Sequence, residues 1–460
     1  MNGPLTLQNA ASSSPATDPS RNRRAIFAVM VAVALASLDT AIANTALPAI
    51  AADLNAAPAA SVWVINAYQL ALVATILPLA ALGDIVGHRR IYIAGLALFT
   101  VASLACALAP TLALLAGARA LQGIGASGIM SVNVALLRFI YPPERLGRGV
   151  GLNALTVGIS FAVGPSVASL ILSVAPWPWL FGINVPLGIA ALLVAVPSLP
   201  PSPRGTHRFD TVAAVFNVVA FTALILALSS AAQREPFAWW AGALCVAVVF
   251  GALLIKRERG SATPILPVDL FRRPAFALSS LTAVCSFSAQ GLAFVSLPFY
   301  FEGVLHRNQV DTGFLMSPWS IVVALAAPLA GRLSDKYPPA ILGGVGLAIL
   351  SIGMASMALL PADPSVLDIC IRMTVCGAGF GFFQSPNLRA LMSAAPPHRA
   401  GGASGTIATS RLLGQAIGAA LTAFCFSLAG VHGSTSALWL GAGFAGFAAV
   451  ASVLRLAVRQ

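Results

Sequence analysis

Charged residues are scarce in this sequence. Only 9% of its 460 residues are Asp, Glu, Lys or Arg, whereas 58% are hydrophobic. With so few charges, a soluble protein of this length could not cover so much apolar surface. The composition therefore excludes a soluble protein and predicts a polytopic membrane protein.

The sequence patterns of common cofactor sites are also missing. The chain has no Gly-x-x-x-x-Gly-Lys-Ser/Thr phosphate-binding loop, so we do not expect ATP to drive it directly. It has no His-Glu-x-x-His, paired-cysteine zinc or Gly-x-Ser-x-Gly nucleophile pattern. Its six cysteines are scattered through apolar segments and are expected to pack as small hydrophobic residues. We therefore expect no metal, no cofactor and no enzymatic activity.

Long apolar segments make up most of the chain instead. A helix that crosses a bilayer needs about 20 apolar residues. Fourteen segments of suitable length can be placed, approximately at 25–48, 61–82, 90–109, 112–138, 147–172, 178–198, 210–231, 237–255, 274–300, 312–332, 340–361, 365–392, 400–428 and 434–457. They predict an all-α polytopic membrane protein with fourteen transmembrane helices.

Basic residues are placed unevenly along the chain, which has a net charge of +12. With the N-terminus inside the cell, only Arg234 and Arg307 fall on the outer side. Because cytoplasmic loops of membrane proteins are enriched in Lys and Arg, this pattern predicts cytoplasmic N- and C-termini and argues against nucleic-acid binding. The high alanine content and the lack of a eukaryotic sorting signal favour a bacterial inner membrane.

The chain also repeats itself weakly. Asp84 follows the second span much as Asp335 follows the second span after residue 273, and Arg119 precedes spaced glycines as Arg372 does. The repeat predicts two six-helix halves, at 25–198 and 261–460, joined by a linker at 199–260 that carries two additional transmembrane helices. Such repeats place a substrate site between the halves, near the bilayer midplane. Residues 1–24, which begin with a Ser-, Pro-, Asn- and Thr-rich stretch, are expected to form a disordered cytoplasmic tail.

Five motifs follow one another along the chain. Residues 38–48 read Leu-Asp-Thr-Ala-Ile-Ala-Asn-Thr-Ala-Leu-Pro, and residues 80–89 match a Gly-x-Leu-Ala-Asp-Arg-x-Gly-Arg-Arg loop in which Ala80 and Ile85 are departures. The other matches are Arg119–Gly125, the pair Gly164-Pro165 that ends a glycine-spaced run, and Trp177–Gly188. Together these motifs resemble those of the major facilitator superfamily, specifically its fourteen-helix drug:proton antiporters, over nearly the whole chain.

The resemblance implies a major facilitator fold, alternating access and a monomer embedded in the lipid bilayer. It also implies that small lipophilic molecules and protons are the partners. The two helices between the halves are expected to lie outside the transport path. We expect a proton-coupled antiporter that exports lipophilic, cationic drugs or toxic compounds. The alternatives are an exporter of the same fold for an anionic compound or metabolite (a fatty acid, siderophore or amino-acid derivative), and an uncoupled channel or receptor.

Two charges inside the apolar spans are candidates for proton coupling. Asp39 falls near the middle of the first span, where an ionised Asp costs about 2.5–3.5 kcal/mol on insertion scales. Arg119 lies inside the fourth span, on a different helix of the same half, so a direct or water-mediated pair is possible. The resemblance implies that Asp39 takes up protons and that Arg119 tunes it. The alternative for both is a fixed structural role.

Glu302 is the third coupling candidate. It lies at the outer end of the span that begins the second half. It could be a second proton site or attract cations, or it could be an interfacial charge paired with Arg307 or His306.

Polar and aromatic side chains inside the spans are candidates for the substrate cavity, although such residues also join helices to one another. These candidates are Asn44, Asn66, Gln69, Phe161, Gln290, Phe294, Gln384, Asn387 and Arg411. Gating candidates come from the two loop motifs, where the resemblance implies that each Asp caps a helix and bridges to Arg, and from the glycine-proline step. They are Asp84, Gly87, Arg89, Arg90, Gly164, Pro165 and Asp335.

Overall fold

The computed structural model describes residues 19–142, 146–202, 209–232, 235–259, 268–394 and 400–456, so most of the predicted tail and Arg234 lie outside the described residues. The first helix group consists of α1 (Pro19–Thr45), α2 (Leu47–Asp53), α3 (Pro58–Ser61), α4 (Trp63–Val86), α5 (His88–Ala107), α6 (Leu112–Ile140), α7 (Leu146–Val174), α8 (Pro178–Gly182) and α9 (Asn184–Ser198). An insert pair follows, α10 (Thr211–Ala232) and α11 (Phe237–Glu258). The last helix group consists of α12 (Pro274–Phe299), α13 (Gln309–Leu333), α14 (Pro339–Ala358), α15 (Val366–Ala394), α16 (Ala400–Ala429) and α17 (Gly433–Leu454).

The described helices confirm an all-α polytopic membrane protein. Twelve of them are long and apolar enough to cross a membrane, or thirteen when the bent pair Leu155–Phe161 and Val163–Val174 counts as one span. The last candidate, Gly405–Leu454, is 50 residues long and covers both α16 and α17. A straight helix of that length would measure about 75 Å, more than twice the hydrocarbon core of a bilayer. The count of fourteen spans stays a prediction.

Local sequence places the helix ends. Thr111 caps α6 by accepting a hydrogen bond from the backbone N–H of Leu114, and Asn308 caps α13 in the same way through Asp311. Both caps satisfy N–H groups that have no partner within the helix. Gly87 has φ +106° between α4 and α5, a conformation that favours glycine, so the loop motif at 80–89 makes a tight turn there.

Each helix group has its own apolar core. Buried residues of α1, α4, α5, α6 and α9 form the first core, together with Leu412 of α16, and buried residues of α12 to α15 and α17 form the second. Large apolar side chains also cover the outside of the bundle, as expected where lipid replaces water. Examples that are at least 60% exposed are Val101, Leu108, Leu193, Trp239, Leu325 and Ile352. The two cores support the predicted division at 25–198 and 261–460, which stays a prediction.

The two helix groups meet where α7 packs on α13 and α4 packs on α16. At the first contact, the Ser166 and Ser317 hydroxyls lie 2.7 Å apart. A Cβ on Gly313 would overlap the Pro165 carbonyl and Ser169, so only glycine permits this approach. A third apolar cluster joins the groups near the C-terminal end of α1, with Ile42, Leu47, Ile50, Ile65, Val295, Phe299, Ala423 and Phe426 among its members. The bundle is therefore closed at that end.

The insert pair packs against both groups. Helix α10 contacts α4 of the first group and α16 of the last. Asn217 of α10 donates a hydrogen bond to the Ala74 carbonyl at 2.9 Å, and Asn66 of α4 donates to the Ser229 hydroxyl at 3.4 Å. The insert therefore covers the seam between α4 and α16, outside the space that the two groups enclose.

Candidate functional site

The two intramembrane charges of the first group form an ion pair. Arg119 on α6 donates from Nη1 to Oδ2 of Asp39 on α1, and both side chains are only 1% exposed. A charge in such surroundings is stable only when a partner and hydrogen bonds replace the lost water. The direct pair that the sequence allowed therefore exists.

Neutral amides complete this pair. Gln122 donates to Asp39 Oδ1 at 2.9 Å and accepts from Arg119 Nη1 at 2.6 Å. Asn184, the first residue of α9, donates to the same Asp39 oxygen at 2.8 Å, and the Ser103 hydroxyl accepts from Gln122. The sequence analysis did not single out these three residues. The network ties α1, α5, α6 and α9 together around one carboxylate.

Aromatic rings enclose the guanidinium of Arg119. Its Cζ lies 4.2 Å from the ring centre of Tyr68 and 5.4 Å from that of Phe181, distances at which a cation is attracted to a ring face. Its Nε donates to the Val64 carbonyl at 3.0 Å. The charge is thus neutralised and sealed from solvent inside the first helix group.

The motif Trp177–Gly188 explains part of this arrangement. The ring of Phe181 lies against the guanidinium of Arg119, and Asn184, three residues after Phe181, donates a hydrogen bond to Asp39. A Cβ on Gly188 would overlap Thr100 of α5, so the glycine lets α9 approach α5 closely. The motif therefore supplies one wall of the ion-pair site.

Two adjoining narrow pockets, together called the central cleft, lie between the helix groups. Side chains of α1, α4, α6, α7, α12 and α16 line them, and each has space for water-sized groups only. Six predicted cavity residues belong to the cleft: Asn44, Gln69, Phe161, Gln290, Phe294 and Arg411. Residues that the sequence analysis did not propose for the cavity also line it, namely Ser37, Thr40, Leu72, Met130, Leu412 and Gln415.

Tyr68 separates the cleft from the ion pair. Its ring lines the cleft on one side and carries Arg119 on the other. Ser37 and Thr40 flank Asp39 on α1 and line the cleft, whereas Asp39 itself does not. The carboxylate thus lies directly behind the cleft wall, on a helix that contributes to that wall.

The charge of the cleft is positive. Arg411 is its one ionised lining residue, and no hydrogen bond or ion pair holds the guanidinium within the described part of the chain. Gln415, one helical turn later, bonds to Gln290 instead, at 3.2 Å. No acidic residue lines either pocket, so the lining does not match the cationic substrate that the sequence analysis expected.

Three predicted cavity residues lie elsewhere. Asn66 faces α10, as described above. Asn387 lies inside the last helix group, where it accepts from Arg455 Nη1 at 2.9 Å. Gln384 does not line the cleft. Asn66 and Asn387 thus join helices, the role that the sequence analysis had kept open for them.

Glu302 lies in a π-helical turn, Tyr300–Val304, that continues α12. Its Oε1 is buried and has no hydrogen-bond partner among the described residues. Arg307 instead donates to the Pro364 carbonyl at 2.9 Å, and within the described ranges neither Arg307 nor His306 forms an ion pair with Glu302. Glu302 is also not part of the central cleft.

The predicted gating residues of the two loop motifs form local contacts at the helix ends next to those motifs, which carry several arginines. Asp335 pairs with Arg389 of α15, as the family resemblance implied for the second loop motif. Asp84 instead pairs with His88, at 3.0 Å. Arg89 donates to the Val196 carbonyl at 2.6 Å, whereas Arg90 is exposed.

The glycine-proline step of α7 contacts both helix groups. A Cβ on Gly164 would overlap Ala41 of α1, so glycine is needed where α7 crosses α1. The next carbonyl, that of Pro165, faces Gly313 of α13 across the group boundary. Gly164 and Pro165 therefore link α1 of the first helix group to α13 of the last.

Comparison with known proteins identifies the family. The profile of the Major Facilitator Superfamily matches residues 29–419. The uncharacterized transporter YebQ of Escherichia coli (strain K12) is 49% identical over 434 residues, which are 94% of this chain and 95% of that protein. The riboflavin transporter RibZ of Clostridioides difficile (strain 630) is 29% identical, covering 87% of this chain and 88% of its own. The multidrug resistance protein Stp of Mycobacterium tuberculosis (strain CDC 1551 / Oshkosh) is 30% identical, covering 88% and 74%.

Solved structures agree on the fold. A bacterial homolog to the human lysosomal transporter Spinster, in an inward-facing and unoccupied conformation, aligns with a TM-score of 0.70 over 98% of this chain and 99% of that one. The sequence identity is 15%, so this likeness concerns the fold alone.

Proposed function

The chain belongs to the major facilitator superfamily, and on that basis we propose that it is a proton-coupled antiporter that exports small lipophilic molecules by alternating access. The observation that carries the proposal is the buried Asp39–Arg119 pair behind the wall of the central cleft. Titratable groups inside membrane helices usually mark proton or substrate pathways. The relatives named as transporters and as a multidrug resistance protein support export of a small molecule.

Asp39 is the proposed proton acceptor. A proton on Asp39 cancels the carboxylate charge, so Arg119 loses its counter-ion and keeps only neutral hydrogen-bond acceptors, namely a carboxyl oxygen, Gln122 and the Val64 carbonyl. Because an unpaired buried guanidinium is unfavourable, the network then prefers another arrangement of α1, α6 and α9. Protonation thereby shifts the balance between two conformations of the bundle.

Coupling to the substrate runs through helix α1. Asp39 is sealed from the cleft, so substrate and proton do not compete for its carboxylate. Such direct competition is what we expected of a cation exporter. The neighbours Ser37 and Thr40 belong to the cleft wall, and Tyr68 touches both sites. A substrate that positions these side chains therefore changes the energy of the ion pair without touching it.

The wider setting follows the same proposal. Fourteen membrane crossings result if α16 and α17 cross separately and the bent α7 crosses once, and an even number leaves both termini on the same side. The arginine-rich helix ends then face the cytoplasm of a bacterial inner membrane. The halves at 25–198 and 261–460 rock against each other along α7–α13 and α4–α16, and the protein acts as a monomer.

Flux into proteoliposomes tests the proposal. The protein is reconstituted, a pH gradient is imposed, and gradient-dependent movement of ethidium, a cation, and fluorescein, an anion, is recorded. We expect gradient-driven transport of at least one dye by the wild type and its loss in Asp39→Asn. Asp210→Asn, which removes an exposed carboxylate paired with Arg257, is the matched control and should transport normally. Gradient-driven flux that survives in Asp39→Asn would place the coupling elsewhere, with Glu302 as the next candidate.

A further inference from the structure

The guanidinium of Arg411 is an uncompensated charge in the bundle interior. It lines the central cleft, and no carboxylate, carbonyl or amide of the described residues bonds to it. Arg119, by contrast, has an acid, an amide, a carbonyl and two rings around it. Within a membrane an uncompensated arginine is expensive, so such residues usually face a pathway and bind something there.

Three neutral polar groups of the cleft also lack partners. The buried oxygens Ser37 Oγ, Asn44 Oδ1 and Gln69 Oε1 have no hydrogen-bond partner among the described residues. An amide or hydroxyl oxygen of this kind accepts hydrogen bonds. Buried polar atoms are nearly always paired in folded proteins, so a cluster of unpaired ones around one cleft points to a polar ligand.

Aromatic side chains supply flat walls. Tyr68 and Phe161 line the pocket of Arg411, and Phe161 and Phe294 line the adjoining one. Phe294 is held in place by an edge-to-face contact with Trp319, with ring centres 5.4 Å apart. Flat aromatic walls favour a planar ligand.

We propose that the central cleft binds a planar organic anion after the two helix groups move apart to widen it, with Arg411 as its counter-ion and with Gln69 and Asn44 accepting hydrogen bonds from its N–H or O–H groups. The inference rests on the proposed function, since it names the substrate class of the same site. A carboxylate fits the fork of the guanidinium best, because its two oxygens accept two parallel hydrogen bonds. Lipophilic monocations are disfavoured, since the cleft has a positive charge and no acid.

The charge of the substrate determines how transport responds to voltage. Exchange of one proton for one monocation moves no net charge. Exchange of one proton entering for one monoanion leaving moves two charges in the favourable direction, and each contributes a concentration ratio of about 50-fold per 100 mV. An inside-negative potential should therefore accelerate export strongly.

Two dyes with the same ring system test the binding step. Fluorescein is an anion at mildly alkaline pH, whereas rhodamine 123 is a cation on the same xanthene scaffold. Binding to the full-length purified protein in nanodiscs of neutral lipid is read from fluorescence anisotropy. We expect the wild type to bind fluorescein at least about tenfold more tightly than rhodamine 123, the scale of one charge-assisted hydrogen bond.

Variants of the cleft make the test specific. Arg411→Gln should weaken fluorescein binding by about 10- to 100-fold and leave rhodamine 123 unchanged or improved, and Arg411→Lys should retain part of the preference. Gln415→Glu adds a carboxylate one turn away from Arg411 and should reverse the preference toward the cation. The proposal is wrong if the wild type binds neither dye, if it prefers rhodamine 123, or if Arg411→Gln and Gln415→Glu leave the dye preference unchanged.

The outcome is separable from that of the proposed function. Binding needs no pH gradient, so a fluorescein preference that depends on Arg411 supports the substrate class even if transport proves to be uncoupled. Conversely, gradient-driven flux of rhodamine 123 that depends on Asp39 supports coupling and overturns the anion site.

Discussion

Removing one partner of the Asp39–Arg119 pair should destabilise the protein more than removing both. Asp39→Asn leaves the Arg119 guanidinium at 1% exposure without a counter-ion and with only neutral acceptors, namely the introduced amide oxygen, Gln122 and the Val64 carbonyl. Breaking a buried pair on one side costs about 3–5 kcal/mol, because an uncompensated charge stays behind. Arg119→Gln leaves the Asp39 carboxylate with the amides of Gln122 and Asn184, and we expect a loss of the same size.

The double variant Asp39→Asn/Arg119→Gln carries no buried charge. It should therefore lose only about 1–2 kcal/mol, the scale of the lost hydrogen bonds. Free energies of unfolding are measured by reversible titration of the purified protein from a mild detergent into SDS. Asp210→Asn is the control, since its partner Arg257 is 45% exposed and such pairs contribute about 0–1 kcal/mol. Strictly additive losses in the double variant would refute the reasoning.

Two further predictions concern the group boundary and the insert. Gly313→Ala should push α13 away from α7, because the added Cβ overlaps the Pro165 carbonyl. The variant should therefore raise maleimide labelling of Ser317→Cys in a cysteine-free background. Gly443→Ala, whose added Cβ meets nothing within 4 Å, should leave the labelling unchanged. A decrease or no change in labelling would show that α7 and α13 do not separate. The hydrogen bond from Arg257 lowers the pKa of Asp210, so this group stabilises the fold above its ordinary pKa of 3.8 and loses the effect as pH falls through its lower folded value. The stability difference between wild type and Asp210→Asn should be below about 1 kcal/mol at neutral pH and should vanish in acid; a difference that grows on acidification contradicts this.

The ion pair and the fold class were predictable because charges are rare in the chain. In the first half, a single acid and a single base deep inside apolar spans have few choices of partner, and Asp39 and Arg119 indeed meet. The i,i+4 spacing of Asp368 and Arg372 likewise predicts their contact, seen at 2.8 Å. In both cases the physical cost of an isolated charge does most of the selection.

The sequence did not predict which neighbouring helices the uncharged polar side chains of the spans would face. Asn44, Asn66 and Asn387 all lie inside apolar spans, yet one lines the cleft, one faces the insert and one lies inside the last helix group. A helix that is apolar all around has no strong periodicity to orient it. Gln122 and Asn184 were missed for the same reason, since an amide shows its partner only after the helices pack.

Proton release on substrate binding tests the central claim most directly. The purified protein is placed in weakly buffered solution at a series of pH values, a binding substrate is added, and the released protons are counted with a pH dye. Antiport through Asp39 predicts a release from the wild type that disappears in Asp39→Asn while the substrate still binds. Equal release from both proteins, or proton uptake by the wild type, would contradict the account.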